Sequence, residues 1–163
     1  TVPLIARVNG ACMAGGMGLL AMCDLAVASH SATFGLPEVK VGVFPAQVLA
    51  VLQHQLPRRV LNELCLTGEP MNADRALAAG LVNEVTEPEA LDGAVDALLA
   101  RLVDKSPSAI RRGLYTLKHV ESLSFEQAMA FTESQIGLFA LTEDAQEGQA
   151  AFREKRAPNW RGR

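Results

Sequence analysis

The chain has 163 residues, of which 49% are hydrophobic and 20% charged, and its formal net charge is −3 at pH 7. This length and composition are typical of one globular domain with a substantial core. The slightly negative charge and the scattered basic residues argue against nucleic acid as a partner. The longest apolar run, residues 11–23, is too short and too rich in glycine to span a membrane.

The cysteines and histidines give no sign of a metal site. Cys12, Cys23 and Cys65 form no Cys-x-x-Cys pair and lie among apolar residues. Their pattern predicts buried, reduced thiols in a cytoplasmic protein. The three histidines lie far apart in the sequence and lack the spacing of metal ligands.

The first part of the chain predicts a strand, a glycine-rich turn and a helix. Residues 2–8 are apolar and strand-like, residues 9–24 carry glycines at positions 10, 15, 16 and 18, and residues 19–23 continue as a helix-like apolar segment. This order places amides without helical partners at a helix N-terminus, where they bind a phosphate or a developing oxyanion. The spacing fits neither the dinucleotide fingerprint nor the P-loop. A tight turn with glycines for close packing is the structural alternative.

Because residue 1 already leads into this apolar segment, we expect either further chain before it or a partner that covers this edge.

A single carboxylate stands out in the segment 34–46. Pro37 favours extended geometry at Leu36 and fixes the backbone just before Glu38. Glu38 is the only carboxylate of this segment and lies among apolar residues, where the charged form is disfavoured. Such a glutamate is suited to proton transfer. The alternative is an exposed glutamate at a loop corner.

The other predicted elements are strands at residues 25–28 and 81–85 and helices at residues 46–56, 58–66, 72–80, 89–103, from 106 onward, 124–141 and 142–153. Asn72 and Thr142 are expected to cap their helices, and Gly80 to end one. The apolar stripes of the later helices indicate core or a subunit interface. The basic end, residues 152–163, predicts a solvated terminus, an intersubunit arm or an arm that reaches a phosphate-bearing ligand.

Four segments together resemble the crotonase superfamily of enoyl-CoA hydratases and isomerases: residues 9–29, 34–46, 66–85 and 148–160. They follow the family order at family-like separations across nearly the whole chain, which is similar to the C-terminal two-thirds of such a protein. The resemblance implies an α/β fold of the ClpP/crotonase type. It assigns residues 1–87 to a partial ββα spiral core and residues 88–163 to a helical trimerisation region, with the N-terminal part absent.

The resemblance implies an enzyme that stabilises the enolate of a CoA thioester. Gly15 matches one of the two backbone oxyanion donors, and the other donor belongs to a part of the family without a match here. Glu38 matches a catalytic glutamate that acts as acid and base. Family hydratases use a second glutamate, whose place is taken by Gly18 and is therefore expected to be empty.

A single glutamate suits isomerisation of a 3-enoyl to a 2-enoyl thioester. Hydration by one glutamate and an ordered water stays open, as does decarboxylation of a malonyl-type thioester. A non-catalytic acyl-CoA-binding or assembly subunit is the alternative from a different class.

Further substrate contacts are implied at Met13, Ala14, Gly16, Gly18, Leu36, Pro37, Val43, Phe44, Ala46 and Lys155. Val43, Phe44 and Ala46 are expected to line the acyl pocket, and Lys155 is expected either to meet the nucleotide end of CoA or to be solvated. The resemblance implies a homotrimer or a hexamer. It implies no metal and no cofactor besides the CoA moiety of the substrate.

Overall fold

The computed structural model describes residues 2–163; Thr1, where we expected the chain to lead into its first strand, lies outside the described residues. The chain forms two compact units. One is Leu4–Leu98, and the other is Leu99–Arg163 with Val2 and Pro3. The division therefore falls inside a helix, later than the change at residue 88 that the sequence suggested.

The strands are β1 (Ile5–Val8), β2 (Ala11–Met13), β3 (Leu25–Ser29), β4 (Thr33–Gly35), β5 (Met71–Asn72) and β6 (Glu84–Thr86). The helices are α1 (Gly15–Ala21), α2 (Ala46–Leu52), α3 (Arg58–Thr67), α4 (Ala73–Ala78), α5 (Leu91–Val103), α6 (Pro107–Val120), α7 (Phe125–Ala140) and α8 (Glu143–Glu154). Two 3-10 helices occupy Pro37–Val41 and Pro88–Ala90.

The first unit contains two small sheets. One has the order β1-β3-β6 and is parallel, while the other has the order β2-β4-β5, with β2 parallel and β5 antiparallel to β4. In the second sheet Met13 pairs with Gly35. Neighbouring parallel strands therefore end side by side, at the edge of the sheet where ligands bind in many α/β proteins.

The core of the first unit fixes these strand ends. Its fully buried apolar side chains include Met17, Phe34, Leu36, Leu52 and Leu64, each at 1% exposure or less. They come from α1, β4, the residue before the first 3-10 helix, α2 and α3. Burial of such a side chain stabilises the fold by about 2 kcal/mol, so the turn after β2 and the segment after β4 rest on a packed base.

Helix caps were predicted correctly where the capping chemistry is local. The Asn72 side chain accepts a hydrogen bond from the Arg75 amide, and Gly80 follows α4 at φ 79°. Thr142 caps α8 by accepting from the Ala145 amide. These contacts satisfy amides that a helix leaves without partners.

Several predicted boundaries were wrong. The first strand begins at Ile5 rather than residue 2, and the helix expected to reach residue 56 ends at Leu52. The strand expected from residue 81 begins only at Glu84. Asn83 bonds Ala26 through both its amide and its side-chain oxygen, each over 2.8 Å, and so starts the pairing.

Burial of the three thiols was only partly predicted. Cys65 is buried, whereas Cys12 and Cys23 are half-buried, and all three are free. The described residues contain no group of three or more His, Cys, Asp or Glu side chains that could hold a metal ion. Among residues 2–163, no helix has the length and apolarity required to cross a bilayer.

The second unit has a buried carboxylate, Asp144, at 2% exposure. It accepts hydrogen bonds from the Ser106 hydroxyl over 2.7 Å and from the amides of Arg161 and Gly162 over 2.8 and 3.0 Å. Burial opposes its ionisation, but these hydrogen bonds prevail and hold the pKa of Asp144 well below its usual range. The backbone of residues 161 and 162 is therefore fixed to the unit, although Arg161 as a whole is exposed.

Candidate active site

The glycine turn is built around Ala14, which lies between β2 and α1. Its backbone adopts φ 51° and ψ −120°, a conformation that residues with side chains rarely take up. The Ala14 amide donates to the carbonyl oxygen of Gly35, and the Ala14 carbonyl accepts from the amide of Met17, each over 3.0 Å. Both backbone groups of Ala14 are thus occupied.

Gly15 is the first residue of α1 and is exposed. An amide at this position has no partner within its own helix and lies at the positive end of the helix dipole. A Cβ built on Gly15 would meet no heavy atom within 4 Å. The space on the Cβ side of Gly15 is therefore open.

Glu38 lies on the 3-10 helix that follows β4. Its carbonyl oxygen accepts from the amides of Gly42 and Val43, and Gly42 closes the turn at φ 83°. The side-chain Oε2 of Glu38 is buried and forms no hydrogen bond among the described residues. A buried oxygen without a partner costs free energy, which a hydrogen bond from a polar ligand atom would recover.

Cys65 of α3 lies within electrostatic range of this carboxylate. Burial raises the pKa of the Cys65 thiol, and the negative charge of Glu38 raises it further. The thiol therefore stays protonated and inert at neutral pH.

The second sheet brings the two candidate catalytic segments together. β2 and β4 are parallel neighbours whose last residues, Met13 and Gly35, pair with each other. Gly15 follows the first of these strand ends and Glu38 follows the second. Residues that are far apart in the sequence therefore leave the sheet at the same edge.

The other predicted contacts in this unit occupy different environments. Gly16 packs near Cys12, whose sulfur would lie 3.7 Å from a Cβ at position 16. Val43 and Phe44 are 59% and 49% exposed, and their place in an acyl pocket stays a prediction. Leu36 is fully buried, so it holds the end of β4 in place and offers no surface to a ligand.

Pro37 opens the 3-10 helix and is half-buried, while Ala46 opens α2 and is exposed. Both flank the segment that contains Glu38.

Gly18 was expected to leave an empty space, and the structure shows which neighbour borders that space. A Cβ at position 18 would lie 3.7 Å from each of the two methyl carbons of Val48, which is ordinary van der Waals contact. Sequence reasoning missed Val48 because the contact joins α1 to α2 across the unit. Only the unusual glycine inside a helix could have signalled it.

Lys155 lies in the second unit, where it ends α8 at φ 55° and ψ 39° and is exposed. Its contact with CoA stays a prediction.

The sequence matches the enoyl-CoA hydratase/isomerase family over residues 1–163. The enoyl-CoA hydratase domain-containing protein 3, mitochondrial, of Danio rerio is 36% identical over 98% of this chain and 55% of its own length. The (E)-benzylidenesuccinyl-CoA hydratase of Thauera aromatica is 34% identical over 98% of this chain and 63% of its own length.

Solved structures agree with these relationships. An enoyl-CoA hydratase from Mycobacterium smegmatis has a TM-score of 0.95 and 36% identity, covering 98% of this chain and 62% of that one. Human enoyl-CoA hydratase domain-containing protein 3 has a TM-score of 0.94 and 34% identity, covering 98% and 63%. The chain thus belongs to the enoyl-CoA hydratase/isomerase family and has the crotonase fold, as predicted. It spans 55% and 63% of the two curated relatives above.

Proposed function

We propose that this protein is an enzyme acting on acyl-CoA thioesters through a stabilised enolate. The Gly15 amide serves as one oxyanion donor, and Glu38 serves as acid and base. The observation behind this proposal is that paired strand ends deliver both segments to one edge of the sheet, where Glu38 has a buried oxygen without a partner. Family membership supports the same chemistry.

The chemistry follows from these two groups. Removal of a proton from C2 of an acyl thioester places negative charge on the thioester oxygen. An amide at the N-terminus of α1 stabilises that charge in the transition state more than in the ground state. Glu38 accepts the proton and returns it, so one carboxylate performs both transfers.

For the reaction itself we favour isomerisation of a 3-enoyl to a 2-enoyl thioester. Glu38 takes the proton from C2, the electrons form a dienolate, and the proton returns at C4, so no water is consumed. By the family resemblance, hydratases have a second glutamate at the position that corresponds to Gly18. The glycine at this position leaves one carboxylate, which supports isomerisation. Hydration is the second candidate, because relatives such as the Thauera aromatica protein are named hydratases.

The proposal is tested by the variant Glu38→Gln in the full-length protein. Loss of a general acid and base lowers turnover by about a hundredfold or more, while KM should change little. Glu69→Gln is the matched control, because Glu69 is an exposed carboxylate that pairs with Lys40 over 2.8 Å. Turnover by Glu38→Gln equal to that of the control would remove Glu38 from the mechanism.

A non-catalytic acyl-CoA-binding or assembly subunit is the rival. Incubation with 2-enoyl, 3-enoyl and malonyl-type thioesters separates the two, because an enzyme converts at least one of them. Binding of all three without conversion of any would favour the rival. Conversion of the malonyl-type thioester alone would instead indicate a decarboxylase.

We also propose that the protein assembles as a homotrimer or a hexamer. Helix α7 presents a stripe of apolar side chains, with Phe125, Met129 and Ile136 exposed at 80%, 56% and 69%. Such a stripe is typical of a surface that another chain covers. Sedimentation analysis of the full-length protein tests this, and a monomer at micromolar concentration would contradict it.

A further inference from the structure

We propose that Val48 is a specificity-determining residue, whose methyl groups cover the face of α1 at Gly18 and exclude water from the reacting carbons of the substrate. The proposal rests on the acyl-thioester chemistry proposed above. It adds the physical feature that decides between isomerisation and hydration.

The geometry of α1 places this contact beside the oxyanion amide. Gly15 and Gly18 are three residues apart on one helix, so they lie on the same face. At Gly15 the space around a built Cβ is open, whereas at Gly18 that space ends at the methyl carbons of Val48, each 3.7 Å away. The open amide is therefore followed, one turn further along α1, by an apolar wall.

The contact is a complementary one between a residue without a side chain and a branched one. Val48 lies in the first turns of α2, is half-buried and packs against the core of the first unit. Its χ1 freedom is small because it is β-branched. The side chain at this place is thus supplied by α2 instead of α1, and it is apolar instead of acidic.

An apolar wall here has a direct chemical consequence. Hydration requires a water whose oxygen attacks C3 while one of its protons is removed, and a water needs polar partners to be held in place. The methyl groups of Val48 supply none. Isomerisation moves one proton from C2 to C4 through Glu38 and requires no water, so an apolar surface at this place does not hinder it.

The first test replaces Val48 by an isostere that carries a hydroxyl group. In the full-length protein, Val48→Thr is given a 3-enoyl-CoA, and the 2-enoyl and 3-hydroxyacyl products are quantified. We expect the ratio of hydration to isomerisation to rise at least tenfold. Val51→Thr is the matched control, because Val51 lies on the same helix and packs against the same core, and its ratio should equal that of the wild type.

The second test needs no activity. Gly18→Val adds methyl groups that overlap Val48, so the melting temperature should fall. Val48→Ala in the same chain should restore most of that loss, since it removes the overlapping groups. Independent effects of the two substitutions, or equal product ratios for Val48→Thr and Val51→Thr, would overturn the proposal.

The two tests also separate this proposal from the one on which it rests. A protein that turns over no thioester would refute the enzymatic function and, with it, the specificity role of Val48. A protein that isomerises but shows no difference between the two threonine variants would refute the role of Val48 alone.

Discussion

The amide of Ala14 donates a hydrogen bond to the carbonyl oxygen of Gly35 over 3.0 Å, and this bond joins the glycine turn to the strand that leads to Glu38. It extends the pairing of β2 with β4 by one residue beyond Met13. Because Ala14 uses its amide here, the next amide, that of Gly15, begins the helix free of the sheet. One hydrogen bond thus fixes the start of the helix at Gly15, the proposed oxyanion donor, to the strand that leads to Glu38, the proposed acid and base.

The backbone of Ala14 gives a stability prediction. Its φ of 51° and ψ of −120° destabilise the folded state by about 1–3 kcal/mol when the residue has a side chain. Glycine avoids this strain, but its greater freedom in the unfolded chain costs about 0.5–1 kcal/mol of stability. Ala14→Gly should therefore raise the free energy of unfolding by about 1 kcal/mol. Urea denaturation measures it, and Ala97→Gly in the middle of α5 should lower the same quantity by a similar amount.

The buried carboxylate of Asp144 predicts a dependence of stability on pH. Its hydrogen bonds keep the pKa in the folded state below the unfolded value of 3.8. The stabilisation is therefore complete above about pH 4 and is lost as the pH falls towards the folded pKa. Urea denaturation between pH 7 and pH 2 should show this loss in the wild type.

Asp144→Asn should lower the free energy of unfolding at pH 7 by about 2–3 kcal/mol, because the amide group leaves backbone donors unsatisfied. The variant should also have a flatter dependence below pH 4. Asp96→Asn, at an exposed site of α5, is the control. Equal pH dependence in the two variants would show that Asp144 does not contribute to the acid sensitivity.

The only tryptophan reports on packing against α8. A Cβ on Gly148 would lie 3.2 and 3.3 Å from ring carbons of Trp160, and the Trp160 ring nitrogen donates to the Asp104 carbonyl over 2.8 Å. Gly148→Ala should move the ring and shift its fluorescence. It should also stabilise the protein less than Gly137→Ala, whose Cβ meets no atom within 4 Å and which should gain up to about 1 kcal/mol.

The exposed lysine at the end of α8 predicts an effect on substrate binding. Lys155→Ala should raise KM for an acyl-CoA about fivefold, since an exposed charge contact contributes up to about 1 kcal/mol. KM for the corresponding pantetheine thioester, which lacks the nucleotide, should not change. Lys155→Gly removes the charge and also relieves the positive φ of 55°, so comparison with Lys155→Ala separates the effect of charge from that of backbone strain. A KM in either variant equal to that of the wild type would exclude the contact.

The sequence was sufficient for features whose chemistry is local. Thr142 and Asn72 accept hydrogen bonds from amides three residues ahead, and such contacts can be predicted from neighbouring residues. The strand, turn and helix around the glycines were predicted for the same reason, whereas the role of Glu38 stays a prediction.

Features that depend on remote partners were missed. β2, β4 and β5 have two or three residues each, which is too short for a period-two pattern to show. Val48 was missed as the neighbour of Gly18, and Asp144 as a buried anchor, because in both cases the partners come from other elements. The contacts and the burial of such residues therefore depend on side chains and amides that other elements place next to them.

The dependence of Asp144 on the amides of Arg161 and Gly162 has a practical consequence for anyone who handles this protein. Removal of the residues after Trp160, by a protease or by cloning, would leave a buried negative charge without two of its donors. The residues after Trp160 look like a dispensable basic tail, but two of their amides help to stabilise the second unit. Tags and cleavage sites should therefore be placed away from them.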